Sequence, residues 1–125
     1  MPDNSKLRVL IVDDSSVMRR LLVQIFTGRG FEVVGEAADG LEALEKFEEL
    51  KPDLTTLDIV MPRMRGTETL EILMQRHPEA RIIMASSISD ARTVVHCLKV
   101  GARQYITKPY DEEKVMTAVQ KSLEK

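Results

Sequence analysis

Two hydrophobic periods alternate along the chain. Short apolar runs of strand length separate longer stretches in which apolar residues return every third or fourth position, the spacing of a helix face. Val9 to Val12, inside LRVLIV, is apolar throughout and stops at Asp13-Asp14. A run without polar alternation predicts a strand buried on both faces, and so a place inside a parallel sheet. Asp14 or Ser15 then caps a helix that follows at once. Met18, Leu21, Leu22 and Ile25 mark its buried stripe, Arg19 and Arg20 point away, and Gly28 and Gly30 close it. Phe31 to Ala37 reads as a second strand and Asp39-Gly40 as a turn. Leu41, Leu44 and Phe47 form the next helical stripe, which stops before Lys51-Pro52.

The third strand lies in Leu54 to Pro62, LTTLDIVMP, where an apolar run delivers a single carboxylate, Asp58, before Met61 and Pro62 end it. Gly66 and Thr67 open a helix with Leu70, Leu73, Met74 and His77 on one face and Pro78 beyond its end. Arg81 to Ala85 is a fourth strand ending in Ser86-Ser87, and Ala91, Val94, Val95 and Leu98 mark a fourth helix ended by Gly101. Gln104 to Thr107 is a short fifth strand before Lys108-Pro109, and Val115, Ala118, Val119 and Ser122 give the last helix. Five strands alternate with five helices, without a repeat, linker or low-complexity tract. That pattern predicts one α/β domain over residues 1–125: a doubly wound parallel sheet covered by helices on both faces, with right-handed crossovers.

Composition changes this picture little. A chain of 125 residues with 43% hydrophobic and 30% charged positions is ordinary for one soluble domain. Its net charge of −2 is too close to balance to predict a nucleic-acid or anionic-membrane partner. Cys97 is the single cysteine, which rules out an internal disulfide and fits a reducing compartment. The opening MPDNSK is polar, unlike a signal peptide, and no apolar run approaches the roughly 20 residues a membrane span needs. The expectation is a soluble, cytoplasmic protein.

Candidate chemistry follows from topology. In a parallel sheet every C-terminal strand end opens on the same edge of the molecule, where open α/β sheets place their sites. Asp13 and Asp14 follow strand one, Asp58 strand three, Ser86 strand four and Lys108 strand five, while strand two contributes nothing distinctive, as expected at an edge. Taken singly, Asp14 or Ser15 and Ser86 or Ser87 have a plainer reading as helix caps. Together, four of five strand ends carry compatible groups. Three close carboxylates repel unless cations sit among them, and Lys108 supplies one charge. A divalent ion held by oxygens, with no Cys or His nearby, is expected to be Mg²⁺ or Mn²⁺ rather than zinc. A metal, an ammonium and a hydroxyl around one acid fit attack by that acid on phosphorus.

VDDS at Val12 to Ser15, LDIVMPRMRG at Leu57 to Gly66, ASS at Ala85 to Ser87 and YITKPY at Tyr105 to Tyr110 resemble the receiver domains of two-component response regulators, nearest to the single-domain chemotaxis type. The resemblance, rather than the periodicity, implies a flavodoxin-like strand order 2-1-3-4-5. It implies that Asp58 accepts a phosphoryl group from a sensor histidine kinase and later loses it to water. It further implies that Asp14, Asp58 and the Val60 carbonyl ligate the metal, with Asp13 holding a metal-bound water. Lys108, before a cis Pro109, would pair with Asp58 and then with the phosphoryl group, to which Ser86 would donate its hydroxyl. Tyr105 would change rotamer as Ser86 moves and so shift the face of helix four, strand five and helix five toward a downstream protein, with a flagellar motor switch protein the natural guess. The protein is expected to be monomeric.

Departures from the family pattern are Arg65 before the glycine, Ser87 where a smaller alanine is common, and apolar Val60 and Ile88 beside the phosphoryl position. Neither Val60 nor Ile88 can position water, so slow self-dephosphorylation is expected. His77 and His96 read as helix-surface residues, and the methionines as core filler. Three alternatives remain. One is a receiver half of a longer chemotaxis methylesterase or transcription factor. Another is an interaction module that is never phosphorylated. The last is a Mg²⁺-dependent phosphohydrolase, whose haloacid-dehalogenase-type pattern needs a second acid where Val60 stands.

Overall fold

In a computed structural model, the chain is described over residues 6–124, so the polar opening, residues 1–5, lies outside the described residues. The elements run β1 (Arg8–Val12), α1 (Ser16–Gly28), β2 (Glu32–Ala37), α2 (Gly40–Leu50), β3 (Leu54–Leu57), α3 (Gly66–Arg76), β4 (Ile82–Ser86), α4 (Ala91–Val100), β5 (Gln104–Thr107) and α5 (Glu112–Leu123). The strands form one parallel sheet in the order β2-β1-β3-β4-β5, as a flavodoxin-like doubly wound fold requires.

Strand alternation explains the two layers. Val9 and Ile11 face one side with Leu22, Ile25 and Phe26 of α1 and Val115, Ala118 and Val119 of α5. Leu10 and Val12 face the other, against Ala43 and Phe47 of α2, Leu70 and Leu73 of α3, and Cys97 of α4. Val9 to Val12 of β1 are all buried, which is why that run reads as continuously apolar. Side-chain caps start four helices. Ser15, rather than Asp14, accepts from the Met18 N–H; Asp39, Asp90 and Asp111 do the same for α2, α4 and α5.

Several local expectations change. Asp39-Gly40 is the start of α2 rather than a free turn, and Gly40 is needed for close approach. A Cβ there would lie 2.3 Å from Thr69 Oγ1 and 2.7 Å from Met64. Leu21 and Leu41 lie on partly exposed faces rather than in the core. The largest difference is in α4. Its expected buried stripe of Ala91, Val95 and Leu98 is exposed, with Val94 half-buried, while Cys97 anchors the helix. A helix lying over the sheet's margin needs little apolar area inward, so periodicity found an apolar stripe but not the direction it faces.

Candidate functional site

Register brings the chemistry together. Val12 pairs with Leu57 across β1 and β3, so Asp13 and Asp58 are each the first residue past their strands, side by side. The Asp58 N–H donates to the Val12 carbonyl at 3.0 Å, and the Asp13 N–H to the Ala37 carbonyl at 3.0 Å. On the other side, Ser86 pairs with Thr107, and the Lys108 N–H donates to the Ser86 carbonyl at 2.9 Å. Lys108, preceding a cis Pro109, thereby leaves β5 toward the two acids.

Lys108 Nζ lies 3.1 Å from Asp58 Oδ2, which it hydrogen-bonds, and 2.8 Å from Asp13 Oδ2. The Asp13 contact is an ion pair with poor hydrogen-bond geometry. The other Asp58 oxygen accepts the Ile59 N–H at 2.7 Å, and Asp13 Oδ1 accepts the Ser15 N–H at 2.9 Å. Carboxylate oxygens of Asp13, Asp14 and Asp58 lie within 4.8 Å of one another, with Asp14 exposed and the other two buried. Burial pushes the Asp13 carboxyl above its usual range despite the Lys108 ammonium and the Ser15 N–H that oppose the shift. Burial also pulls on Lys108, but Asp13 and Asp58 outweigh it and hold the ammonium above its usual range. Lys108 therefore offsets one of three negative charges. An oxygen-only set still short of positive charge fits a hard divalent cation.

Ser86 is buried at the end of β4, and its Oγ accepts the Ile88 N–H at 3.2 Å. The Tyr105 hydroxyl donates to the Ile88 carbonyl. Ser86 and Tyr105 thus hold opposite sides of one residue, which links the crevice to α4. Burial pushes the Tyr105 phenol above its usual range. Val60 sits between buried Ile59 and Met61 with its own side chain half exposed, and Ile88 is half-buried. Ser87 is exposed. His77 bonds Glu48 and lies tilted against Phe47, and exposed His96 bonds Glu71, so both histidines join neighbouring helices at the surface.

Two supports were not legible in sequence. Arg63, at φ 68°, donates to Asp39 Oδ2 through Nη2 at 2.6 Å and Nε at 3.1 Å, tying the loop after β3 to the start of α2. Arg19, expected to point away, instead folds back: Nη1 donates to the Asp13 carbonyl at 2.7 Å and Nε to Glu36 of β2 at 3.0 Å. Edge strand β2 therefore does contribute, through Glu36. Neither arginine stands out in sequence, because its partner is set by the packing of distant elements.

The model of the response regulator receiver domain matches residues 9–120, and that span contains all of these groups. The chain belongs to the response regulator receiver family. This receiver is 45% identical to the chemotaxis protein CheY of Thermotoga maritima over 91% of its own length and 95% of that protein's. It is 42% identical to CheY of Bacillus subtilis over 93% of its own length and 97% of that protein's. It is also 47% identical to a protein-glutamate methylesterase/protein-glutamine glutaminase of Thermotoga maritima, covering 83% of this receiver but 31% of the longer protein. In structure it superposes with TM-score 0.93 on a chain of the CheX-CheY-BeF3-Mg complex of Borrelia burgdorferi, at 41% identity, over 95% of this receiver and 90% of that chain. A receiver is a signalling domain, and this one is CheY-like. No helix among the described residues is long and apolar enough to cross a membrane.

Proposed function

We propose that residues 1–125 act as a phosphorylation-driven switch in chemotaxis, with Asp58 accepting a phosphoryl group from a sensor histidine kinase. The observation that carries this reading is one buried carboxylate held by Lys108 at 3.1 Å and flanked by two further acids. In the transfer, an Asp58 oxygen bonds to phosphorus while the P–N bond of a phosphohistidine breaks, its electron pair returning to the imidazole. Lys108 stays within reach of the new phosphoryl group and offsets its added charge. Ser86 exchanges its contact with the Ile88 N–H for donation to a phosphoryl oxygen. Asp14, Asp58 and the Val60 carbonyl would hold Mg²⁺, or Mn²⁺, with Asp13 acting through water. The metal supplies neutralisation of phosphoryl charge. Water later breaks the Asp58–phosphoryl bond.

Release of Ile88 from Ser86 alters the Tyr105 anchor and shifts the population of α4 arrangements. A coupling of about 1–3 kcal/mol suffices for a several-fold affinity change. The exposed Ala91, Val95 and Leu98 stripe then serves a downstream protein. CheX, the partner in the Borrelia complex, and a flagellar motor switch protein are the candidates. The protein would act in the cytoplasm, as a monomer.

Incubation with acetyl phosphate and Mg²⁺ followed by mass spectrometry tests the reading. One added phosphoryl group, lost in Asp58→Ala and with chelator, is expected. An unmodified protein, or modification indifferent to Asp58, would refute it and favour a module that is never phosphorylated. Identity to the methylesterase supports a second reading, the receiver part of a longer chain. The mass of the endogenous protein separates the two.

A further inference from the structure

Asp14 hangs from the Asp13–Asp14 peptide, and that peptide is held from three directions. The Asp13 N–H is tied to Ala37, the Asp13 side chain caps the Ser15 N–H, and the Asp13 carbonyl accepts Arg19 Nη1 at 2.7 Å. The first two contacts act on groups either side of that peptide, and the third is made to the peptide's own carbonyl, on the bond that carries Asp14. Arg19 is itself paired with Glu36 at 3.0 Å, and its side chain as a whole is 19% exposed.

We infer that Arg19, braced by Glu36, is a positioning residue for the divalent-metal site: it locks the Asp13–Asp14 peptide so that the Asp14 carboxylate stays beside Asp13 and Asp58. The inference rests on the proposed Mg²⁺ site. Its sign separates it from plain electrostatics. A guanidinium near a metal site repels the incoming cation, so removing the charge alone should tighten Mg²⁺ binding. Loss of positioning should weaken it.

Isothermal titration of the full chain with MgCl₂ tests this, with wild type, Arg19→Met, Arg19→Lys and Glu36→Gln each melted in EDTA beforehand. Arg19→Met keeps the aliphatic stem but loses the donor. It should weaken Mg²⁺ by about tenfold, the low end of losses when groups supporting metal ligands are removed. Arg19→Lys, which keeps a donor and the charge, should recover most of the affinity. Glu36→Gln leaves Arg19 in place but loosens it, and should give a smaller loss in the same direction. Because Glu36→Gln also removes a negative charge, the variant that serves if Arg19→Met does not fold is Arg19→Gln, which loses the guanidinium and should likewise weaken Mg²⁺. Unchanged or tighter Mg²⁺ binding by a folded Arg19→Met, or a lowered melting point with no change in affinity, overturns the inference while leaving the metal site standing. Wild-type protein whose Mg²⁺ binding is absent, or insensitive to Asp14→Ala, overturns both.

Discussion

At Asp13 burial disfavours the ionised carboxylate, and the Lys108 ammonium compensates it incompletely. Because the folded-state value is raised, ionised Asp13 costs stability at neutral pH, and that cost disappears as pH falls through the raised value. Asp13→Asn keeps an oxygen for the Ser15 N–H and removes the charge. Lys108 keeps Asp58 as its partner at 3.1 Å and the crowding of like charges is relieved, so we expect Asp13→Asn to stabilise the metal-free protein by about 1 kcal/mol, a few degrees in Tm, and calorimetry in EDTA at neutral pH checks this. Val60, half exposed at the rim, belongs to the same scale. A polar group there can hold the attacking water, and a hydrogen bond of about 1 kcal/mol is worth roughly fivefold in rate. Val60→Asn should therefore shed labelled phosphate several-fold faster than wild type, whereas equal rates would show that this side chain does not control water.

Among the elements, the loop from β3 to α3 sets the site's precision. Gly66 lets α3 begin directly against β3, since a Cβ there would stand 1.8 Å from the Asp58 carbonyl oxygen, and its N–H donates to Ile59 at 2.8 Å. Gly66→Ala has to displace backbone rather than a side chain. A loss of about 3 kcal/mol, the upper range for overpacking, is expected by urea denaturation. The same loop is tied down by Arg63 on Asp39, whose carboxyl is held below its usual range first by the Glu42 N–H and then by Arg63. A lowered folded value means the Asp39 contribution is complete above the unfolded value near 4 and is lost as pH falls through the lower folded value. The stability gap between wild type and Asp39→Asn should thus hold at neutral pH and shrink below about pH 4. A gap independent of pH across acid unfolding curves would mean that the charge is not what matters.

For the whole molecule, the question is how a charge at one sheet edge reaches a partner. The crevice, Ser86, Ile88, Tyr105 and α4 are joined by direct contacts, and α4 keeps Val95 and Leu98 in solvent with Cys97 as its buried anchor. Exposed apolar residues gathered on one helix face mark a surface suited to a protein partner. Leu98→Asp should lower affinity for the downstream protein at least about fivefold, a loss of about 1 kcal/mol or more, with Tm and Asp58 phosphorylation unchanged. Surface plasmon resonance with the beryllofluoride-treated protein provides the measurement, and unaltered affinity would place the partner elsewhere.

Sequence alone determined the ten-element alternation, the parallel sheet and the acids, hydroxyl and ammonium at the strand ends. Strand burial and chain direction are local properties that hydrophobic runs and their punctuation encode. Tertiary structure decided which face of α4 meets solvent and which oxygen atoms Lys108 reaches. It also turned Arg19 back onto Asp13 and placed Arg63 on Asp39. Each of those depends on how elements far apart in the chain rotate against one another, and no spacing along the chain carries that information.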